Sequence, residues 1–138
     1  MSARASAWIL AGALLVSALV RWPLLTRQGL WVDEVFSLAI ATGHSLEHPA
    51  AEAHPALGDF VEGGGARPAR AWRAYLRHDD PPAGPERVLR AVLLSDTSPP
   101  LYYLLLWGWT RPLGTSDRAL RGFSLLCALA CLPLLVRL

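Results

Sequence analysis

Hydrophobic positions are massed at the two ends of this chain and thin out in its middle. A first apolar run extends from about Ala5 to Leu25, broken only by Arg21 and Pro23 near its end. A second opens at Pro99-Pro100 and reads Leu-Tyr-Tyr-Leu-Leu-Leu-Trp-Gly-Trp up to Thr110, and a third covers Ala119 to Leu138. Crossing ~30 Å of hydrocarbon takes ~20 apolar residues in a helix. The first and third runs have that length. The second reaches it only by extending through Arg111-Pro112-Leu113, with the arginine snorkelling to the interface. The pattern predicts an all-α polytopic membrane protein with about three transmembrane helices, at about 5–25, 99–114 and 119–138, and a long outer segment over 26–98. A cleavable signal peptide is the other reading of the first run, since Arg4 supplies a positive start and Val16-Ser17-Ala18 a small-residue cleavage site.

Within the long segment the periodicity predicts three short juxtamembrane helices. The first runs from Asp33 to about Thr42, with Asp33 as N-cap and Gly43 as its stop. Val35, Phe36, Ala39 and Ile40 make its apolar face. Asp33 and Ser37 lie on another side, joined by His44 if the helix continues past Gly43. The stretch Ala66 to Arg77 is the second. Ala69, Trp72, Tyr75 and Leu76 share one side and Arg67, Arg70, Arg73 and Arg77 the other, the pattern of a helix lying on a bilayer. The third runs from Pro85 to Ser95, started by Gly84-Pro85, with a Glu86–Arg90 pair at i,i+4 and Val88, Leu89, Val92 and Leu93 inward. Ser98 is a fitting N-cap for the next helix, with Pro99 at its first position.

Composition sharpens this picture in one respect. The 138 residues are 53% hydrophobic, and all thirteen basic side chains are arginine, a sign of genomic bias rather than chemistry. The net charge of +2 gives no case for nucleic acid, because no basic run interleaves with aromatics. Cys127 and Cys131, at i,i+4 in the last apolar run, suit neither a metal site nor an unstrained disulfide and read as small packing residues. The loop Thr110 to Arg121 is dense in arginine, whereas Arg21 to Ser98 holds eight arginines against ten acids. By the positive-inside rule the former is cytoplasmic. That places the amino terminus inside and the 26–98 segment on the outer face of a cytoplasmic membrane.

The chemistry-bearing residues cluster near the predicted membrane surface. Asp33-Glu34 sits between Trp31 and an apolar helical stretch, just beyond the first span. Two adjacent carboxylates there suggest an active site held against the bilayer. Asp33 as a simple helix cap is the competing reading. Asp96 is a second acid on the same face, or a group stabilised by the dipole of the following helix. Arg67, Arg70 and Arg73 are candidate contacts to lipid phosphate, or a solvated surface. His78-Asp79-Asp80 offers metal-ligand types, but acids followed by prolines read more simply as an exposed turn. The sequence indicates no metal site and leaves a divalent-metal requirement open. Gly63-Gly64-Gly65 matches no phosphate-loop spacing and reads as a linker.

Three segments in order carry a resemblance: Trp31-Val32-Asp33-Glu34, then Asp96-Thr97-Ser98-Pro99-Pro100-Leu101-Tyr102-Tyr103, then Leu113-Gly114-Thr115-Ser116-Asp117-Arg118-Ala119-Leu120-Arg121. Together they resemble the start of a GT-C superfamily glycosyltransferase, in the branch of protein O-mannosyltransferases and aminoarabinose transferases. The likeness covers nearly all of the chain except about 47–87. Ser98 stands where that family commonly has histidine. Such enzymes carry further spans, so the chain resembles an amino-terminal part, inactive alone. The resemblance implies transfer of a sugar from a polyprenyl-phosphate carrier to an acceptor hydroxyl outside the cytoplasmic membrane. Asp33 is then the catalytic base, Glu34 and Asp96 support it, and Arg67, Arg70, Arg73, Ser98 and Tyr102 contact substrate. Membrane lipid and the lipid-linked donor are the implied partners. A non-enzymatic membrane protein whose outer segment binds a partner is the alternative.

Overall fold

The computed structural model describes the chain except residues 1–2, 49–51, 62–65, 67, 96–97 and 138, with backbone alone described at 3–6, 46–48, 69 and 136–137. The fold is mostly helical, with two candidate membrane-spanning helices. It divides into two units, residues 1–29 with 117–138, and residues 30–116.

The first unit holds helix α1 (Ala3–Arg21), a 3-10 turn over Trp22–Thr26 and helix α6 (Asp117–Arg137). Pro23 cannot donate to the α1 ladder, so the helix tightens there rather than continuing. Ala7–Thr26 and Asp117–Leu135 are each long and apolar enough to cross a membrane. α1 and α6 pack on each other, and α6 also packs on the 22–26 turn. Trp8, Leu15, Leu19, Leu126 and Leu134 all stay exposed, which suits a lipid-facing surface better than a watery one. Cys127 and Cys131 are free and exposed on α6 rather than packed between helices.

The second unit runs α2 (Val32–Ala41), β1 (Ser45–His48), β2 (Asp59–Val61), α3 (Ala69–Trp72), a 3-10 turn over Arg73–Leu76, α4 (Pro85–Ser95) and α5 (Pro100–Leu113). Gly43, at φ +87°, ends α2. Its N–H bonds Ile40 O at 2.9 Å and the His44 N–H bonds Ala39 O at 2.9 Å, the two closures of a Schellman motif. A Cβ at Gly43 would meet Ala83 and Arg87 as well as the wrong φ. β1 and β2 pair in parallel, Ser45 against Asp59 and His48 against Val61. α2 packs on α4, α5, β1 and the 73–76 turn. The core is Ile40, Val88, Ala91, Val92 and Tyr103, with Leu104 and Trp107 against it.

Several expectations shift. α4 has the expected bounds, but it buries Val88, Ala91 and Val92 and leaves Leu89 and Leu93 exposed. Its inward stripe is therefore rotated by about a quarter turn from the predicted one. Leu38 to Ala41 are buried all round, so only the carboxyl-terminal half of α2 lies in the core. The predicted helix over 66–77 is a single turn of α3 followed by the 3-10 turn. Arg70, Arg73 and Arg77 are exposed as expected. The opposite side, however, is used within the unit: Phe60 lies 5.1 Å from Trp72 and 4.9 Å from Tyr75, ring to ring. The expected span over 99–114 is α5, whose 14 residues extend about 21 Å, short of a ~30 Å hydrocarbon core.

Candidate functional site

The amino-terminal turn of α2 separates the two adjacent carboxylates by role. Trp31, extended at ψ 162°, is the N-cap, two residues earlier than the sequence suggests. Its backbone N–H donates to Glu34 Oε2 at 2.9 Å. Glu34 is thus the group that reaches back to satisfy an orphan donor, one arm of a capping box. Asp33 is not the cap. It lies exposed in the first turn, beside Trp31 and Val32, which are 69% and 64% exposed. An ionised carboxylate there gains from the helix dipole and stays open to a ligand. His44 does not extend a stripe with Asp33 and Ser37, because Gly43 turns the chain and sends the imidazole into the interior.

The other sequence-derived residues are dispersed over the elements. Asp96 and Arg67 lie outside the described residues. Arg70 is exposed on α3 and Arg73 on the turn that follows. Ser98 is exposed ahead of α5, whose N-cap is Pro99 with Pro100 at the first helical position, one residue later than predicted. Tyr102 is partly exposed on α5, edge-on to Tyr103 with ring centres 5.3 Å apart. α2 packs directly on α5, so the helices bearing Asp33-Glu34 and Tyr102 are neighbours. Among the described residues, no group of three His, Cys, Asp or Glu could hold a metal ion.

Sequence reasoning missed the polar centre of this unit. Asp59 is 1% exposed. Arg90 grips it with a two-pronged fork, Nη1 on Oδ1 and Nη2 on Oδ2, the latter at 2.8 Å. The Ser45 hydroxyl donates to Oδ1 at 2.6 Å and the His54 N–H to Oδ2 at 2.7 Å. The Arg90 bonds hold the Asp59 carboxyl far below the usual range; burial opposes them, and the Ser45 and His54 bonds reinforce them. Arg90 therefore pairs across the fold rather than with Glu86 one turn away. The four groups tie β1, β2 and α4 together.

A second network surrounds His44. Its Nδ1 lies 3.0 Å from Thr42 Oγ1, and its Nε2 lies 3.4 Å from Asp79 Oδ1. Asp79 also takes Arg87 Nη1 at 2.7 Å, while Arg87 Nε donates to Gly43 O at 2.9 Å. Hydroxyl, imidazole and carboxylate in a chain have the order of a nucleophile relay. Thr42, however, is fully buried, and its hydroxyl lies 2.9–3.2 Å from the Leu38, Ala39 and Tyr75 carbonyls. No substrate can reach it, so the chain is a fastening. Burial pushes the His44 pKa down, with Asp79 opposing and Arg87 assisting. His78 Nε2 lies 3.0 Å from Thr110 Oγ1, whose own proton goes back to the α5 carbonyls of Leu106 or Trp107. The Nε2 proton therefore points at Thr110, and the buried Nδ1 has no hydrogen-bond partner. Burial also lowers His78, with Arg111 and His44 assisting and Asp79 opposing. In the predicted exposed turn at His78-Asp79-Asp80, His78 thus turns inward, while the Asp79 side chain stays 41% exposed and Asp80 is exposed.

Comparison with protein-family models, with curated proteins and with solved structures found no match to this chain.

Proposed function

We propose that the chain is the membrane-anchored amino-terminal part of a glycosyltransferase, which moves a sugar from a polyprenyl-phosphate carrier to an acceptor hydroxyl. The reading rests on the sequence resemblance to GT-C transferases. One observation carries it into the fold: Asp33 is an exposed carboxylate set in an apolar surface of Trp31 and Val32, with its neighbour Glu34 already engaged. A departing lipid phosphate has a second pKa near ~6, so it leaves with little help from an acid. A single base that takes the acceptor proton is then enough, unlike glycoside hydrolysis, where two flanking carboxyl groups are usual. Asp33 is that base. Glu34 holds the start of α2 and so positions Asp33. Asp96, Ser98, Tyr102 and the Arg67, Arg70 and Arg73 series are the proposed donor and acceptor contacts. The reaction face is the outer surface of the cytoplasmic membrane. In the family's order α5 opens the second of three spans.

The test is Asp33→Asn in the longest natural form of the protein, read as release of polyprenyl phosphate in the presence of acceptor. General-base catalysis supplies ~10²–10⁴-fold, and a loss of that order at equal protein level is expected. Normal turnover would remove Asp33 from the chemistry. The partner-binding alternative is favoured by the exposed leucines of the second unit, Leu93 at 80% and Leu101 at 64%. It predicts that Leu93→Ser weakens an association while Asp33→Asn does nothing.

A further inference from the structure

Arg121 lies one turn into α6, yet its guanidinium is bonded to the end of the α1 segment. Nη1 donates to Gln28 O at 2.7 Å and reaches Leu25 O at 3.5 Å, while Nη2 donates to Gly29 O at 2.8 Å. α1 therefore arrives at the end from which α6 departs. Since the two helices also pack on each other, they run antiparallel. Each matches a bilayer in length, at ~1.5 Å per residue against ~30 Å of hydrocarbon. Each exposes large apolar side chains along that length, Trp8, Leu15 and Leu19 on α1, Leu126 and Leu134 on α6. Hydrocarbon is the partner whose chemistry and thickness fit both.

We propose that α1 and α6 form an antiparallel hairpin through one bilayer, that residues 30–116 leave and re-enter on the same face, and that α5 does not cross. Parity carries the argument. A segment whose two ends lie on one face crosses an even number of times, and α5 alone would make the number odd. α5 is also unfit to cross by itself. It is about 21 Å long, and the Trp107 indole N–H donates to Ala83 O at 3.0 Å in the 77–84 loop. Thr110 meets His78 from the same loop, which also carries Asp79 in its pair with Arg87. Drawing α5 through hydrocarbon would break these bonds or drag acidic and basic side chains in with it, which a bilayer core resists. The arginine count that set the topology from sequence assumed α5 as a span, so it does not apply once α5 is removed. The proposal goes beyond the transferase reading and does not depend on it; it revises the span order that the resemblance implies.

The experiment uses two single cysteines in the full chain with Cys127→Ala and Cys131→Ala: Glu52→Cys in the 26–98 segment and Ser116→Cys between α5 and α6. An impermeant maleimide is applied to intact cells and again after permeabilisation. The hairpin predicts that both positions behave alike, either both labelled in intact cells or both labelled only after permeabilisation. One labelled and one protected overturns it, as does release of the chain from membranes by alkaline carbonate. Labelling of both in intact cells also agrees with an outer-face transferase. Protection of both keeps the hairpin and removes that face from the transferase reading, so the two ideas fail separately.

Discussion

The α1–α6 pair and the 30–116 unit solve opposite solvation problems. None of the described side chains of α1 is buried, and its surface is apolar. Its joint with α6 combines helix packing with Arg121, which satisfies the backbone carbonyls of Gln28 and Gly29. The 30–116 unit buries Asp59, Thr42, Ser45, His44 and Thr110 and gives each a bonding partner. A buried polar group left unbonded costs about 1–3 kcal/mol, so these bonds decide whether the unit closes. Where water is the solvent, apolar groups go inside and polar ones follow only if paired. Where lipid is the solvent, apolar groups are left outside at no cost.

The comparison breaks most sharply at Asp59. Asp59→Ala leaves Arg90 half-buried without its carboxylate and should destabilise the unit by about 3–5 kcal/mol. Unfolding in detergent, followed by near-ultraviolet circular dichroism, should show that loss while the chain still integrates into membranes. Gly43→Ala comes next, at about 1–2 kcal/mol for a left-handed Cβ, read as a lower melting temperature. At the start of α2, Glu34→Ala should cost about 0.3–1.5 kcal/mol through the lost cap, and Asp33→Asn should leave stability unchanged. If Asp33→Asn were the more destabilising of the two, Asp33 would be the cap and Glu34 the free group. Acid is the mildest perturbation. His44 and His78 have lowered pKa values in the fold, so the unfolded chain takes up protons first as pH falls. The stability they confer is complete above the ordinary histidine value of ~6.5 and declines as pH drops below it. Melting temperature should hold steady above pH ~7 and fall on acidification, with a shallower slope in His78→Gln.

The legible parts of the sequence were those with long periods or strong punctuation. α4 carries the bounds that Gly84-Pro85 and its amphipathic run suggest, and α1 and α6 follow from sheer apolar length. The rotation of α4 was not legible, because Leu89 and Leu93 are as apolar as Val88 and Val92 and only the neighbours decide which pair goes inward. β1 and β2 have four and three residues, too few to display an alternation. Asp59 sits between Leu57-Gly58 and Phe60-Val61 with no motif around it, and its partner Arg90 lies thirty-one positions away, beyond any local spacing rule. The faint signal was Gly58 just before it, held at φ +86°, where a Cβ would sit on the Gly43 carbonyl and the Arg87 guanidinium. At the candidate site the Asp33-Glu34 pair was visible from its flanking tryptophan. Which of the two caps the helix depended on where α2 begins, and a shift of two residues reversed the assignment.

Amide hydrogen exchange in lipid nanodiscs, with and without Asp59→Ala, tests the division of the molecule most directly. In the unaltered chain α1, α4, α5 and α6 should all exchange slowly. In the variant, α1 and α6 should stay slow under lipid protection, while α5 opens together with α4 because Tyr103, Leu104 and Trp107 of α5 pack on Val88, Ala91 and Val92 of α4. Continued protection of α5 after α4 has opened would place α5 in the bilayer and contradict the account.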